Sequence, residues 1–217
     1  MSVKDESALK VAEFLLQIKA VKLQPGKPFT WASGLKSPIY CDNRITLSFP
    51  QIRTFIRQQF VKVIEKNFAK ANVIVGVATG GIAQGALVAQ ELGLPFAYVR
   101  PEPKSHGLGN QVEGVIEKGQ SVVVIEDLVS TGKSSLNAVD AILASGGIVK
   151  GMAAIFTYGF DDATKNFKSK KIPLHTLCNY DILLQQAVQS EYISEKDVES
   201  LKEWKKDPKA WSAKHSK

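Results

Sequence analysis

The chain has 217 residues, 44% of them apolar, enough for a sizeable core in one domain with at most a small appendage. Its 28 basic and 21 acidic residues give a net charge of +7, which suits either nucleic acid or a heavily phosphorylated small molecule. No run of 18 apolar residues exists, the start MSVKDESALK lacks a signal-peptide layout, and Cys41 and Cys178 have neither metal nor redox spacing.

Those exclusions lead to the expectation of a reduced, cytoplasmic protein that neither crosses nor coats a membrane. The position of the charge argues against nucleic acid. Lys196–Lys217 carries seven lysines against four acids and reads as a solvated helix and end, and no zinc-finger, RNA-recognition or helix-turn-helix signature is present.

In chain order, Asp5–Lys19 puts Ala8, Ala12, Leu15 and Ile18 on one helical face. Leu23–Ser48 is rich in Gly, Pro and Ser and reads as strands and turns broken at Gly34 and Pro38. Pro50 opens a helix, where its missing N–H costs nothing, and Ile52, Ile56, Phe60 and Val63 form its stripe. Val73–Val77 is a short β-branched strand, followed by the turn Ala78-Thr79-Gly80-Gly81, a helix ending near Gly93 and a strand over Phe96–Val99. Arg100–Gly114 is polar and loop-like. Val112–Ile116 and Ser121–Ile125 flank Glu117-Lys118-Gly119 in the manner of a hairpin. A loop then leads to a helix from about Lys133 to Ala144, stopped by Gly146-Gly147. Gly151–Thr157 and Leu174–Leu177 read as strands, Tyr180–Gln189 and Glu195–Lys205 as helices.

Strand, glycine turn, helix, strand predicts an α/β fold, a mostly parallel sheet flanked by helices. Ligands in such sheets sit beyond the carboxyl ends of the strands. That gathers the loops 78–85, 100–111 and 126–134 near one site. Residues 1–217 read as one domain, with a small N-terminal hood from about 20 to 48 and a helical tail from about 190 to 217. Trp204 and Trp211 in that tail are expected to pack on the body.

The strongest chemical signal is Val122–Ser134, VVVIEDLVSTGKS. An apolar strand ends at Glu126 and Asp127, Leu128-Val129-Ser130-Thr131-Gly132 forms the turn, and Lys133 starts a helix. Free N–H groups and the positive end of the helix dipole meet there and favour a phosphate. Ser130, Thr131 and Ser134 add hydroxyl donors. Gly132-Lys133-Ser134 also matches the end of a nucleotide-triphosphate loop, but that motif needs glycine where Asp127 stands. Ionised carboxylates instead accept hydrogen bonds from a pair of sugar hydroxyls. The bland alternative is an acidic strand end followed by a helix cap.

This run resembles the signature of type I phosphoribosyltransferases, whose fold is a parallel sheet with flanking helices and a variable hood. The resemblance implies that Glu126 and Asp127 bind the ribose hydroxyls of 5-phosphoribosyl 1-diphosphate and that residues 129–134 bind its 5-phosphate. It also implies that Thr79 and Gly80 lie at the pyrophosphate. Arg100-Pro-Glu-Pro-Lys104-Ser-His106-Gly107 resembles the catalytic loop of the orotate members, R-x-x-K-x-H-G. In that family the loop closes over the pyrophosphate across a homodimer interface, so Arg100, Lys104 and His106 are the expected catalytic residues. Phe29-Thr-Trp-Ala-Ser33-Gly34-Leu-Lys36-Ser37-Pro38-Ile39-Tyr40 resembles the same family's base-site segment. Phe29, Ser33, Gly34, Lys36 and Ser130 are the expected orotate contacts. Many orotate enzymes carry a lysine where this chain has Gly80, and some carry lysines at the positions of Ala32 and Pro101 and an arginine near Tyr158, none of which is present here.

The expectation is therefore an orotate phosphoribosyltransferase working in pyrimidine biosynthesis. Magnesium (Mg2+) is expected on the substrate's pyrophosphate and ribose oxygens, with no protein-only metal site. A transferase for another base, or a non-catalytic sensor of phosphoribosyl diphosphate, is the competing expectation.

Overall fold

In a computed structural model the described residues are 3–31, 33–102 and 111–216. Val122–Ile125, a run with no polar alternation, is wholly buried. Only a strand covered on both faces suits such a run, and the rest of the architecture follows from that.

The first helix, α1 (Val3–Gln17), leads into the hood. There β1 (Val21–Leu23) pairs antiparallel with β4 (Ile39–Cys41), and between them β2 (Phe29–Thr30) pairs with β3 (Lys36–Ser37). A 3-10 helix over Asn43–Ser48 joins the hood to α2 (Pro50–Asn67), which Pro50 opens as expected. Then come β5 (Val73–Val77), α3 (Gly80–Leu92), β6 (Phe96–Val99) and β7 (Val112–Glu113). Next are β8 (Ser121–Val129), α4 (Lys133–Ala144), β9 (Ile148–Thr157) and α5 (Asp161–Ser169). The chain closes with β10 (Leu174–Asn179), α6 (Tyr180–Gln189), α7 (Glu195–Lys206) and α8 (Pro208–Lys214).

Six strands form one sheet in the order β10-β9-β8-β5-β6-β7, parallel except for the edge pair β6–β7. Side chains alternate between two cores. Ile74, Val123, Ile125 and Ile155 face a core shared with α1, α2, α3 and α6. Val73, Val75, Val122, Val124 and Met152 face the core under α4 and α5. The expectation of an α/β fold, a mostly parallel sheet flanked by helices, holds.

Two details correct the sequence reading. Val112–Ile116 and Ser121–Ile125 are not a hairpin: β7 pairs with β6, and β8 enters between β5 and β9. The turn at Gly119 has φ +87°, and its N–H donates to the Gly146 carbonyl at 2.8 Å, so it faces the end of α4 rather than folding β8 back on β7. An all-apolar strand gains more from the sheet centre than from a solvated hairpin. In addition, β8 does not stop at the acids. Glu126, Leu128 and Val129 are paired with β9, so the acidic pair stands within the strand and the turn after it is shorter than the sequence suggests.

The tail packs as its tryptophans imply. Trp204 and Trp211 are buried. Trp204 lies with ring centroids 5.7 Å from Trp31 of the hood, 5.5 Å from Tyr158 and 5.4 Å from Tyr180. The hydroxyl of Ser212 accepts a hydrogen bond from the Lys36 N–H at 2.8 Å, fixing α8 to β3.

Candidate active site

At the carboxyl ends of β5 and β8, a cleft of about 420 Å³ opens beneath the hood. From β8 and the turn after it come Glu126, Asp127, Leu128, Ser130, Thr131, Gly132 and Ser134, and from the turn before α3 come Thr79 and Gly80. Of the residues expected around the phosphorylated sugar, these nine converge.

The turn is held from three sides. Thr157 Oγ1 donates to the Val129 carbonyl at 2.9 Å, and Asn166 Nδ2 donates to the Thr131 carbonyl at 2.9 Å. Asn43 Nδ2, from the 3-10 helix, donates to the Asp127 carbonyl at 2.6 Å. Gly132 caps α4 with φ +79°, and a Cβ there would stand 2.7 Å from the Phe167 ring. Only glycine meets both demands. The first intrahelical bond runs from the Leu136 N–H to the Gly132 carbonyl at 2.9 Å. The N–H groups ahead of Leu136 are the ones a helix start leaves without partners, and they face the cleft end where an anion is favoured.

Close backbone approach brings the two loops together. A Cβ on Gly81 would run into the Ile125 carbonyl, and one on Gly80 into the Asp127 carboxylate. Two glycines thus seat the start of α3 directly on β8, with Gly80 against the acid pair. The Ala78–Thr79 peptide in this turn is cis.

Glu126 is 5% exposed. Its carboxylate accepts from Ser135 Oγ at 2.9 Å and from the Asp127 N–H at 3.1 Å. Burial, and then the neighbouring Asp127 charge, push the Glu126 carboxyl well above the usual range. Burial also raises Asp127, while the bonds around it and the Arg44 charge pull the other way. Two adjacent buried carboxyls resist ionising together. Sugar hydroxyls or a cation would relieve that strain.

Other expected residues fall elsewhere. Val129 is buried in the core under α4, and Lys133 is exposed on α4. Neither side chain lines the cleft, although Val129 and Lys133 bound the turn that does. Arg100 donates its N–H to the Gln111 carbonyl at 2.9 Å, and its Nη1 lies 3.6 Å from Glu113. Lys104 and His106 lie outside the described residues. Phe29 packs on Tyr40 at 5.7 Å, and Ser33 and Gly34 sit exposed in the turn after Trp31. The Lys36 ammonium donates to Thr30 Oγ1 at 2.9 Å. None of these four is among the cleft-lining residues.

The cleft also contains residues the sequence reading did not single out: Cys41, Asp42 and Arg44 from the hood, and Val77 and Ala78 at the end of β5. The Cys41 thiol, pushed up first by burial and then by Asp127 and Asp42, is held in its neutral form. Among the described residues, no group of three or more His, Cys, Asp or Glu side chains is arranged to hold a metal ion. No described helix is long and apolar enough to cross a membrane.

This geometry agrees with what the chain resembles. The family described as phosphoribosyl transferase domain matches residues 48–182. An orotate phosphoribosyltransferase of Phocaeicola vulgatus is 56% identical over 202 residues, covering 93% of this chain and 95% of that one. The crystal structure of orotate phosphoribosyltransferase from Aeropyrum pernix matches with a TM-score of 0.74 and 28% identity, over 85% of this chain and 99% of that one. UMP synthase of Leishmania donovani matches with the same TM-score at 26% identity, over 91% of this chain but only 42% of its own length. The chain belongs to the phosphoribosyltransferase family and, within it, to the orotate phosphoribosyltransferases.

Proposed function

We propose that this protein transfers the phosphoribosyl group of 5-phosphoribosyl 1-diphosphate to orotate, giving orotidine 5-phosphate and pyrophosphate on the route to UMP. The observation that carries the reading is the seating of Glu126 and Asp127 between the start of α4 and the Thr79–Gly80 turn, in one cleft. Phosphate, ribose and diphosphate are joined in that order in the substrate.

In this reading the free N–H groups and hydroxyls of 130–134 hold the 5-phosphate. Glu126 and Asp127 accept the two ribose hydroxyls. Orotate N1, having given up its proton, forms the bond to ribose C1. The bond from C1 to the diphosphate oxygen breaks, and pyrophosphate leaves with the electron pair. Positive charge gathers on the ring while negative charge gathers on the leaving group. Arg100, Lys104 and His106 stabilise the latter, from a loop that must open again for product release. Orotate lies under the hood beside Ser130, with the segment Phe29 to Lys36 shaping that side.

The donors present fit magnesium as a partner of the substrate rather than as a caged ion. Asp127 and Glu126 line the cleft and would offer such an ion hard carboxylate oxygens, too few to enclose it without the substrate. The ion supplies charge neutralisation of the diphosphate. A homodimer sharing the 100–111 loop, a single domain with its hood over about 20–48, and a cytoplasmic setting complete the proposal.

The test is depletion of orotate in the presence of phosphoribosyl diphosphate and magnesium, run beside uracil, adenine and hypoxanthine. Consumption of orotate alone is expected. Turnover of a purine, or tight binding of phosphoribosyl diphosphate with no turnover of any base, would replace this reading.

A further inference from the structure

From the hood, Asp42 and Arg44 line the cleft on either side of Asn43, which holds the turn after β8, and neither has a part in the roles given above. The three side chains act together. The Asp42 carboxylate caps the 3-10 helix by accepting from the Arg44 N–H at 3.2 Å. The same carboxylate grips the Arg44 guanidinium through Nε at 2.8 Å and Nη2 at 2.9 Å. Asn43, fully buried, fastens the helix to β8 through its 2.6 Å bond to the Asp127 carbonyl. Arg44 is therefore not a loose surface cation. It is aimed by a fork on one side and anchored by a neighbour on the other.

Asp42 occupies only the Nε–Nη2 edge. A guanidinium has further donors on its Nη1 side, and 58% of the Arg44 side chain remains accessible at the mouth of the cleft. Among the described residues lining that cleft, Arg44 is the only lysine or arginine, against the carboxylates of Asp42, Glu126 and Asp127. A substrate carrying a phosphate and a diphosphate needs more countercharge than that lining otherwise has.

Position selects which anion. The 5-phosphate end already has the start of α4. Arg44 stands instead beside the acid pair: its neighbour Asn43 is bonded to the Asp127 carbonyl, and Arg44 and Asp127 line the same cleft. Asp127 is also the group against which Gly80 packs. In the reading above, the Thr79–Gly80 turn is the part of the cleft that meets the diphosphate. We propose that Arg44 binds the diphosphate of the substrate and of the pyrophosphate product, with Asp42 as its positioning residue. This rests on the phosphoribosyl-transfer reading above and deepens it.

The experiment uses the full chain with magnesium, as wild type, Arg44→Gln and Arg44→Lys, each checked for fold by circular dichroism. Calorimetric titration with inorganic pyrophosphate reads binding without turnover, and initial rates give KM for each substrate. In Arg44→Gln the pyrophosphate Kd and the KM for phosphoribosyl diphosphate are expected to rise about 10- to 100-fold, the effect of losing a charged hydrogen-bond donor. KM for orotate should move less than about twofold, and Arg44→Lys should recover part of the loss by restoring a point charge without the fork. Unchanged pyrophosphate affinity in a folded Arg44→Gln protein overturns the assignment, as does a rise confined to orotate, which would place Arg44 at the base's carboxylate. A wild type that binds pyrophosphate but consumes no orotate would instead refute the overall function. The titration would still decide Arg44. Absence of any pyrophosphate binding by the wild type sinks both.

Discussion

Glu126 illustrates how a single buried carboxyl sets both stability and readiness for ligand. Its folded value is raised, so the folded protein retains a proton that the unfolded chain has already released. The contribution to stability is full below the ordinary carboxylate value of about 4.3 and is lost as pH climbs through the raised one. In the absence of ligand, the melting temperature should therefore fall over that window, and Glu126→Gln should flatten the slope. A variant profile as steep as wild type would locate the titration elsewhere. At this scale much of the site was readable. The acids and the Ser-Thr-Gly turn, which line one cleft, stand in a single run of sequence, and Thr79-Gly80 was legible through the family resemblance. Arg44 was hidden because its signal is relational. Its usefulness comes from Asp42 and Asn43, and a six-residue 3-10 helix is too short to show a periodicity. Gly80 was read as a missing cation. It is equally the residue that leaves room for the Asp127 carboxylate.

Between β8 and α4 the element scale is dominated by fit. Gly132 has a left-handed backbone and lies against Phe167 of α5, so the phosphate turn is seated on a helix that follows it by some thirty residues. Gly132→Ala should cost about 1 kcal/mol or more in urea denaturation, since alanine at positive φ is strained before any clash is counted. It should also raise KM for phosphoribosyl diphosphate more than KM for orotate. Equal changes in both would mean that the turn serves the whole cleft rather than the phosphate end. Strands and helices with strong patterns were legible nearly to the residue, as with Val73–Val77, Phe96–Val99 and Tyr180–Gln189. The failures have physical causes. Helix α5 offers one buried pair, Ala163 and Phe167, in an otherwise polar stretch. The false hairpin arose because a glycine turn between two apolar runs looks the same locally whether the strands pair with each other or with distant partners.

The whole molecule is a sheet covered on both faces, with its chemistry confined to one end and roofed by the hood. An excess of positive charge over the entire chain attracts anionic substrates from solution, yet the cleft lining itself is acidic. Long-range attraction and local binding are thus assigned to different residues. The proposal of a shared loop makes a prediction at this scale. Lys104→Ala and Asp127→Asn proteins, each impaired alone, should regain activity when combined as verified heterodimers, up to about half of wild type if one intact site forms per dimer and each dimer half acts alone. No recovery would mean that each subunit serves its own cleft.

The bond from Lys36 to Ser212 spans 176 residues of sequence, and the Trp31–Trp204 contact is of the same kind. Emerging from the ribosome, the hood segment is synthesised early but has to wait for α7 and α8 before its brace exists. The sheet can assemble as its strands appear, since domains fold progressively during synthesis. The roof over the base cannot. A nascent chain that has reached α6 would hold the cleft-lining residues proposed to take the phosphate and ribose, yet it would still lack the helices that fasten the segment proposed to receive the base.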